Sequence, residues 1–202
     1  MSNETRIEVI KHHKLLIDNY LSKKSSICCK GSIEQYAAEQ NNIENAIKIA
    51  VMSKDKYGKL HSHQKRIYKY VYNNFLKNLL FVRDEIMKAK NFDILIDIIY
   101  NNKPSGAGEL FCYDVALRIG YKLNLLPEKV YIHAGTKIGL RKLYGRNIYE
   151  KTILKNNLPE PFNSCELTPD QLEDFFCIYK NNICGMKENL SSVKNMPLPE
   201  FC

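Results

Sequence analysis

Three side chains in the second half of the chain are the first candidates for chemistry: Asp114, His133 and Tyr131. A carboxylate such as Asp114 can act as an acid or base, but it stands four residues before Arg118, a spacing that also forms ion pairs along a helix. The imidazole of His133 can carry a proton near neutral pH, or can stabilise a helix start by bonding a backbone carbonyl. The ring of Tyr131 can pack against the core or stack on a nucleobase. We prefer the structural interpretation for each and keep the catalytic one as the alternative.

The stretch KPSGAGELFCYDVALRIG, residues 103–120, places a proline and two glycines directly before an amphipathic pattern. Gly106 and Gly108 permit positive φ and leave no Cβ in the way of an approaching group. The backbone N–H groups of Gly108, Glu109 and Leu110 would then face outward at a helix N-terminus, where the partial positive charge favours a phosphate. Contacts of this kind hold a protein on a DNA duplex without reading its sequence. A plain connector between two helices is the alternative.

This stretch resembles the helix-hairpin-helix module of DNA repair glycosylases, with Gly-Ala-Gly at residues 106–108 in place of the hairpin's glycine-hydrophobic-glycine. Downstream, VYIHAGTKIGLRKL is similar to the segment in which these enzymes place an aspartate and a histidine before an arginine-containing helix, and His133 takes the histidine position. The resemblance implies an all-helical fold, a hairpin that grips the DNA backbone and a pocket for a flipped base. Tyr131 stands where the family has its catalytic aspartate, and Leu110 where its bifunctional lyases have a lysine. The resemblance therefore implies DNA binding without standard glycosylase catalysis.

A second resemblance extends over more of the chain. The segments HSHQKRI, YDVALRIG, VYIHAGTKIGLRKL and DQLEDFFCIYK together are similar to a group of uncharacterised bacterial proteins. This resemblance implies no activity.

The net charge of +8 is concentrated in two blocks. Residues 54–77 carry seven Lys and Arg against one Asp, and residues 104–151 carry eight against four acidic residues, whereas residues 152–202 carry four against seven. This asymmetry is typical of a protein that meets a polyanion, and a solvated lysine-rich surface is the alternative. In the second block, three basic residues follow the HAGT sequence and are candidates for phosphate contacts: Lys137, Arg141 and Lys142.

The first basic block contains HQKRIYKYVY, in which Lys65, Arg66 and Lys69 are interspersed with tyrosines. Mixed basic and aromatic side chains are typical of nucleic-acid-binding surfaces, whereas tyrosine at helical spacing more often lines the rim of a core. We prefer the core-rim interpretation for the three tyrosines of this segment, Tyr68, Tyr70 and Tyr72.

The composition and the absence of several known motifs argue against some classes of function. The chain has no apolar run of about 20 residues and no apolar signal peptide, which favours a cytoplasmic protein without a membrane partner. Seven cysteines lack metal spacing, and His61 with His63 would give a metal only two ligands, so we predict no metal and no cofactor. Phosphate-binding P-loops, serine-hydrolase elbows and zinc-protease motifs are absent. Cys112 and Cys177 fall among apolar residues and are predicted to be core thiols.

Apolar residues recur at helical spacing along most of the chain, which predicts an all-α fold. We predict helices over about 4–22, 32–53, 62–90 and 109–123, one that Thr136 can cap and that runs to Leu143, and a shorter one that Asn91 caps. A helix-hairpin-helix-like motif is predicted around residues 92–123, a brief extended piece at 130–132, and a capping box from Thr168 to Gln171. One helical domain is predicted over residues 1–183, followed by a flexible tail over 184–202.

The sequence thus predicts a helix-hairpin-helix protein that binds duplex DNA through the phosphate backbone, with little sequence preference. One alternative is an active nucleobase glycosylase or lyase with a non-standard acid or base, drawn from Asp114, Glu109 and His133. Another is a helical module that binds a protein partner. Whether the protein is an enzyme is left open.

Overall fold

The computed structural model describes residues 3–28, 32–185 and 197–199. Within them the chain forms nine α-helices, two short 3-10 helices and one two-stranded sheet, which confirms the predicted helical fold class. The helices are α1 (Asn3–Cys28), α2 (Ile33–Ala38), α3 (Ile43–Met52), α4 (Lys69–Phe81), α5 (Arg83–Lys88), α6 (Phe92–Asn101), α7 (Glu109–Leu123), α8 (Ala134–Tyr144) and α9 (Pro169–Ile178). The strands are β1 (Lys129–Tyr131) and β2 (Thr152–Leu154), and the 3-10 helices are Ser62–Gln64 and Lys155–Asn157.

The chain divides into two compact units. The central unit is Ile27–Pro127, and the terminal unit combines Met1–Ser26 with Glu128–Cys202. The prediction of one domain over residues 1–183 is not tested by this division and stays a prediction. Of the predicted tail, Cys184 is buried, while residues 186–196 and 200–202 lie outside the described residues.

Helix α7 forms the centre of the central unit, where it packs against α2, α3 and α6. Apolar side chains recur along it every three or four residues, so one stripe faces the core. Phe111 in this stripe contacts the rings of Tyr72 and Phe75 edge-on, with 5.5 Å between centroids in each case. Asn91 begins α6 as predicted, because its side chain accepts a hydrogen bond of 2.9 Å from the Ile94 amide.

The terminal unit is built on an aromatic core. The rings of Phe162, Phe175 and Phe176 lie within 5.6 Å of one another, and Tyr179 stacks on Phe175 at 4.8 Å. Helix α9, which supplies Phe175 and Phe176 and has Tyr179 as its C-cap, begins with the predicted capping box at Thr168. It packs against α8 and β1 and so sets the position of both.

Two predicted helices are broken and one strand was not predicted. The stretch 62–90 divides into a 3-10 turn, α4 and α5, with a break at Val82 (φ −100°, ψ 18°). The stretch 32–53 divides into α2 and α3, because Asn42 caps a new helix by accepting from the Asn45 amide at 2.8 Å. The extended piece near residue 130 pairs with β2 in antiparallel register, Val130 opposite Ile153.

Every helix in the described part of the chain is too short or too polar to cross a membrane.

Candidate nucleic-acid interface

The turn between α6 and α7 is closed by a hydrogen bond of 3.1 Å from the Ala107 amide to the Pro104 carbonyl. Gly106 has φ +90°, so one of the two glycines expected to permit positive φ does adopt it. A positive φ at the third residue of a four-residue turn is the mark of type II and strongly favours glycine. A Cβ on Gly106 would also lie 3.0 Å from the Val71 Cγ2 atom, so both the conformation and the space require glycine there.

Helix α7 starts at the surface directly after this turn. Gly108 is its N-cap (φ −77°, ψ 167°), and a Cβ built there meets nothing within 4 Å. Glu109 is exposed, Leu110 is half-buried, and Ala107 faces the core. In the described structure no side chain caps this helix end at Gly108. Open space at Gly108 therefore adjoins the positive end of the helix dipole, where the first amides of α7 have no intrahelical partner.

The basic-aromatic segment of residues 65–70 lies against this turn. The Tyr70 hydroxyl is 3.6 Å from the position that a Cβ on Gly106 would occupy. The rings of Tyr68 and Tyr70 stack with 5.9 Å between centroids, and their exposed fractions are 72% and 57%. We call residues 104–110 together with residues 65–70 the turn surface.

Solvent, and not the core, surrounds most of this segment. Lys65, Arg66 and Lys69 are exposed, as are Tyr68 and Tyr70, so the core-rim interpretation is wrong for these two tyrosines. It is right for Tyr72, which is buried and donates a hydrogen bond of 2.7 Å to the Gln64 carbonyl.

A buried polar network lies further along α7. The guanidinium of Arg118 is 3.3 Å from a Glu34 carboxylate oxygen and donates to the Ala50 carbonyl (3.0 Å) and the Ser53 hydroxyl (2.8 Å). Burial is the largest single influence and acts to raise the pKa of Glu34, but the Arg118 charge together with hydrogen bonds from Arg118 and the Glu34 backbone and the nearby His61 holds that pKa below its ordinary value. The network ties α2 and α3 to α7.

Asp114, the first catalytic candidate, belongs to the same unit. Its carboxylate is half-buried and accepts a hydrogen bond from the Gln64 side-chain amide. The predicted ion pair between Asp114 and Arg118 stays a prediction.

His133 and Tyr131, the other two catalytic candidates, belong to the terminal unit. His133 is the N-cap of α8, and its Nδ1 atom is 3.2 Å from an oxygen of Glu173, a buried carboxylate of α9. The Thr136 hydroxyl is 2.8 Å from the same oxygen. Tyr131 is half-buried in β1, opposite Thr152. The histidine and the threonine therefore fasten the start of α8 to α9.

The predicted phosphate contacts of the terminal unit lie on α8. Lys137 and Arg141 are exposed, whereas Lys142 is half-buried and donates to the Asn181 carbonyl at 3.3 Å. Near the end of the helix lies a shallow groove of about 640 Å³, lined by Ile138, Arg141, Lys142, Gly145, Arg146 and Asn147. We call this groove with Lys137 the α8 surface.

Arg146, which the sequence analysis missed, already has partners within its own segment. It lies 3.1 Å from a Glu150 carboxylate oxygen, and its guanidinium is 5.5 Å from the centroid of the Tyr144 ring. The only sequence signal for it was its membership of the second basic block.

Cys112 and Cys177, the two predicted core thiols, differ in burial. Cys112 is buried as predicted, and burial raises its thiol pKa to about 11, so it carries no thiolate at neutral pH. Cys177 is half-buried. Among the described residues, no group of three or more His, Cys, Asp and Glu side chains is arranged to hold a metal ion.

The structure brings Tyr70 beside Gly106, which the sequence did not predict. Asp114 shares the central unit with them. The remaining candidates belong to the terminal unit: Tyr131, His133, Lys137, Arg141 and Lys142.

No protein family model matches this chain, and no curated protein and no solved structure is significantly similar to it. The resemblance to helix-hairpin-helix glycosylases therefore remains a hypothesis that rests on its residues alone.

Proposed function

We propose that the protein binds the phosphate backbone of duplex DNA through the turn surface, as a helix-hairpin-helix-like module, with little preference for sequence. Catalysis of the standard glycosylase type is not part of the proposal, since Tyr131 cannot supply a carboxylate. A cytoplasmic location fits the free thiol of Cys112, which persists in a reducing compartment.

The backbone around Gly108 supports the proposal. Open space at the Cβ position of this residue leaves room for a phosphate near the first amides of α7. Amides without an intrahelical partner and the helix dipole both favour an anion. Neither feature reads a base, so the same contact forms on any sequence.

The observation that carries the proposal is the position of Tyr70 beside Gly106. It brings part of a segment with three exposed cations beside the turn, although the two are more than thirty residues apart in the chain. No Asp or Glu occurs between Asp55 and Asp84, so the segment itself carries only positive charge, and the exposed Glu109 carboxylate of the turn surface offsets part of it. A polyanion is the partner that this combination favours.

The test is fluorescence anisotropy with labelled duplexes of two unrelated sequences, over a series of salt concentrations. Affinity should fall with salt at a log–log slope of about −0.9 for each neutralised phosphate. Because the turn surface reaches few phosphates, binding should be micromolar or weaker at physiological salt. The double variant Lys65→Glu, Arg66→Glu should bind both duplexes more weakly and reduce the slope by about 2.

A matched control is Lys88→Glu, Lys90→Glu, which changes the net charge equally at exposed positions of the same unit. Equal losses in the two double variants would show that total charge, and not the turn surface, attracts DNA. Undetectable binding at low salt would favour the protein-interaction module instead. Release of free base from damaged duplex would favour the enzyme alternative and direct attention to Asp114, Glu109 and His133.

A further inference from the structure

Tyr68 and Tyr70 form an unusual exposed pair. Side chains two residues apart do not face each other on a helix. Here they do, because Tyr68 precedes α4 as its N-cap with an extended backbone (φ −71°, ψ 145°). The two rings lie nearly parallel, at an interplanar angle of 15°.

The surroundings of the pair indicate the chemistry of its partner. Lys65, Arg66 and Lys69 are the charged neighbours along the chain, and the turn at Gly106 lies beside Tyr70. A protein partner with an apolar face would gain nothing from these cations. A nucleotide offers both an anion for the cations and a flat π-face for the rings.

We infer that the Tyr68–Tyr70 pair is a stacking platform for a nucleobase that is not covered by base neighbours. In an intact duplex each base is stacked on both sides, so only an unpaired, bulged or single-stranded base can present a free face. The inference rests on the proposed function, because the turn surface must hold the adjoining phosphates. It names the preferred ligand as DNA with an unpaired base and not a perfect duplex.

Stacking of a base on an aromatic side chain changes affinity by about 5-fold to 150-fold. The full-length protein should therefore bind a duplex with one bulged adenine at least about 5-fold more tightly than the perfectly paired duplex. The same bulge made with 2-aminopurine should lose fluorescence when the protein binds, since stacking quenches that base.

Three variants separate stacking from other causes. Tyr68→Leu with Tyr70→Leu keeps apolar bulk but removes both rings and should abolish the preference for the bulge. Tyr68→Phe with Tyr70→Phe keeps the rings and should retain the preference. Tyr57→Leu removes another ring of the same unit, which is 75% exposed, and should change nothing. Thermal unfolding of each variant checks that the fold is unchanged.

Equal affinity of the wild type for bulged and perfect duplexes would overturn the inference, as would an unchanged preference in the double leucine variant. A preference that the double phenylalanine variant loses would assign the effect to the hydroxyl groups and overturn stacking. In each of these cases salt-dependent binding of the perfect duplex would still support the proposed function. Absence of any DNA binding would overturn both.

Discussion

Helices α7 and α8 each carry a candidate surface, but the two are held in place differently. In the central unit, Arg118 of α7 is 1% exposed and is fixed by the Glu34 carboxylate and two further oxygens. In the terminal unit, α8 lies so close to α9 that a Cβ on Gly139 would be 2.6 Å from the Phe176 carbonyl oxygen. The position of α7 thus depends on the ion pair between Arg118 and Glu34, and the position of α8 depends on the absence of a side chain at Gly139.

The two surfaces differ as well. The turn surface presents the N-terminal end of α7, where the helix dipole attracts an anion. The groove of the α8 surface includes Gly145, the C-cap of α8, where the dipole repels an anion. Lys142 and Arg146 there already have protein partners. Positive charge alone therefore does not make the two surfaces equivalent.

The largest expected effect is the loss of Arg118. Arg118→Ala leaves Glu34, whose side chain is 27% exposed, without its buried partner. Breaking a fully buried pair costs about 3–5 kcal/mol, so we expect a loss near the lower end, about 3 kcal/mol of unfolding free energy. Arg118→Lys keeps the charge but has fewer donors for the surrounding oxygens, and should cost less. Chemical denaturation of the three proteins measures this, and a cost below about 1 kcal/mol for Arg118→Ala would show that the network does not stabilise α7.

The matching change in the terminal unit is Gly139→Ala. The added methyl group has a backbone oxygen in its way, so α8 and α9 must separate, at a cost of about 1–3 kcal/mol. Gly108→Ser adds a larger group where nothing lies within 4 Å and supplies a favoured N-cap residue, so it serves as the control. If Gly139→Ala and Gly108→Ser lowered the melting temperature equally, close packing would not explain the position of α8.

A pH change should separate the units, because they bury ionisable groups differently. Burial, with a contribution from His12, lowers the pKa of His13 in the terminal unit from 6.5 to about 4. The folded state thus favours the neutral ring, and its contribution to stability is complete above pH 6.5 and is lost as the pH falls toward 4. Between pH 7 and pH 5 the loss should be about 2 kcal/mol.

Glu34 of the central unit responds at lower pH. Its pKa is lowered from 4.5, so its contribution is lost only as the pH falls below 4.5. Unfolding free energies at pH 7 and pH 5 therefore separate the effect of His13 from that of Glu34. His13→Gln, which retains an acceptor for the Cys184 amide, should show a markedly smaller loss over this interval. An equal loss in this variant would assign the pH dependence to another group.

The two glycines of the turn surface should differ. Gly106→Ala forces a side chain into positive φ against Val71 and should cost about 1–2 kcal/mol. Gly108→Ser places a favoured N-cap residue in open space and should change stability by less than about 0.5 kcal/mol. Its hydroxyl oxygen would accept a hydrogen bond from the amides that are proposed to bind phosphate, so DNA affinity should fall. Unchanged affinity for Gly108→Ser would remove these amides from the proposed site.

The smallest effect is expected at the α8 surface. Arg141→Glu with Lys142→Glu should weaken DNA binding for all sequences alike and leave the fold intact, but by less than the same change at Lys65 and Arg66. The effect should be smaller because the α8 surface lies at the negative end of the helix dipole and because Lys142 already donates to the Asn181 carbonyl. Anisotropy with one labelled duplex compares the two double variants directly. A larger loss from the α8 pair would reverse the ranking of the two surfaces.

Local signals in the sequence predicted much of the helical structure. A few neighbouring residues decide the Asn91 cap, the Thr168 capping box and the positive φ at the turn. These features can therefore be predicted without knowledge of the fold. The break at Val82 could not be predicted from its neighbouring residues. Leu79, Val82 and Ile86 are all buried, so the apolar stripe continues through the break and hides it.

The candidate site was less predictable than the helices. Tyr68 and Tyr72 have the same residue type and helical spacing, yet one is 72% exposed and the other 7%. Periodicity gives the spacing of a face but not which face the rest of the chain covers. Asp114 and His133 were recognised as polar groups of interest, but their partners Gln64 and Glu173 lie 50 and 40 residues away in the chain.

The sequence by itself determined the helical class, the glycine turn before α7 and the basic character of two blocks, because backbone preference and charge belong to each residue and its neighbours. Tertiary structure alone decided that Tyr70 lies beside Gly106 and that Glu34 neutralises Arg118 from 84 residues away. It also decided that Gly139 lies in close contact with the backbone of α9, whereas Gly108 faces open space. These outcomes depend on which faces become buried together, and that is fixed by the packing of distant segments and not by any one of them.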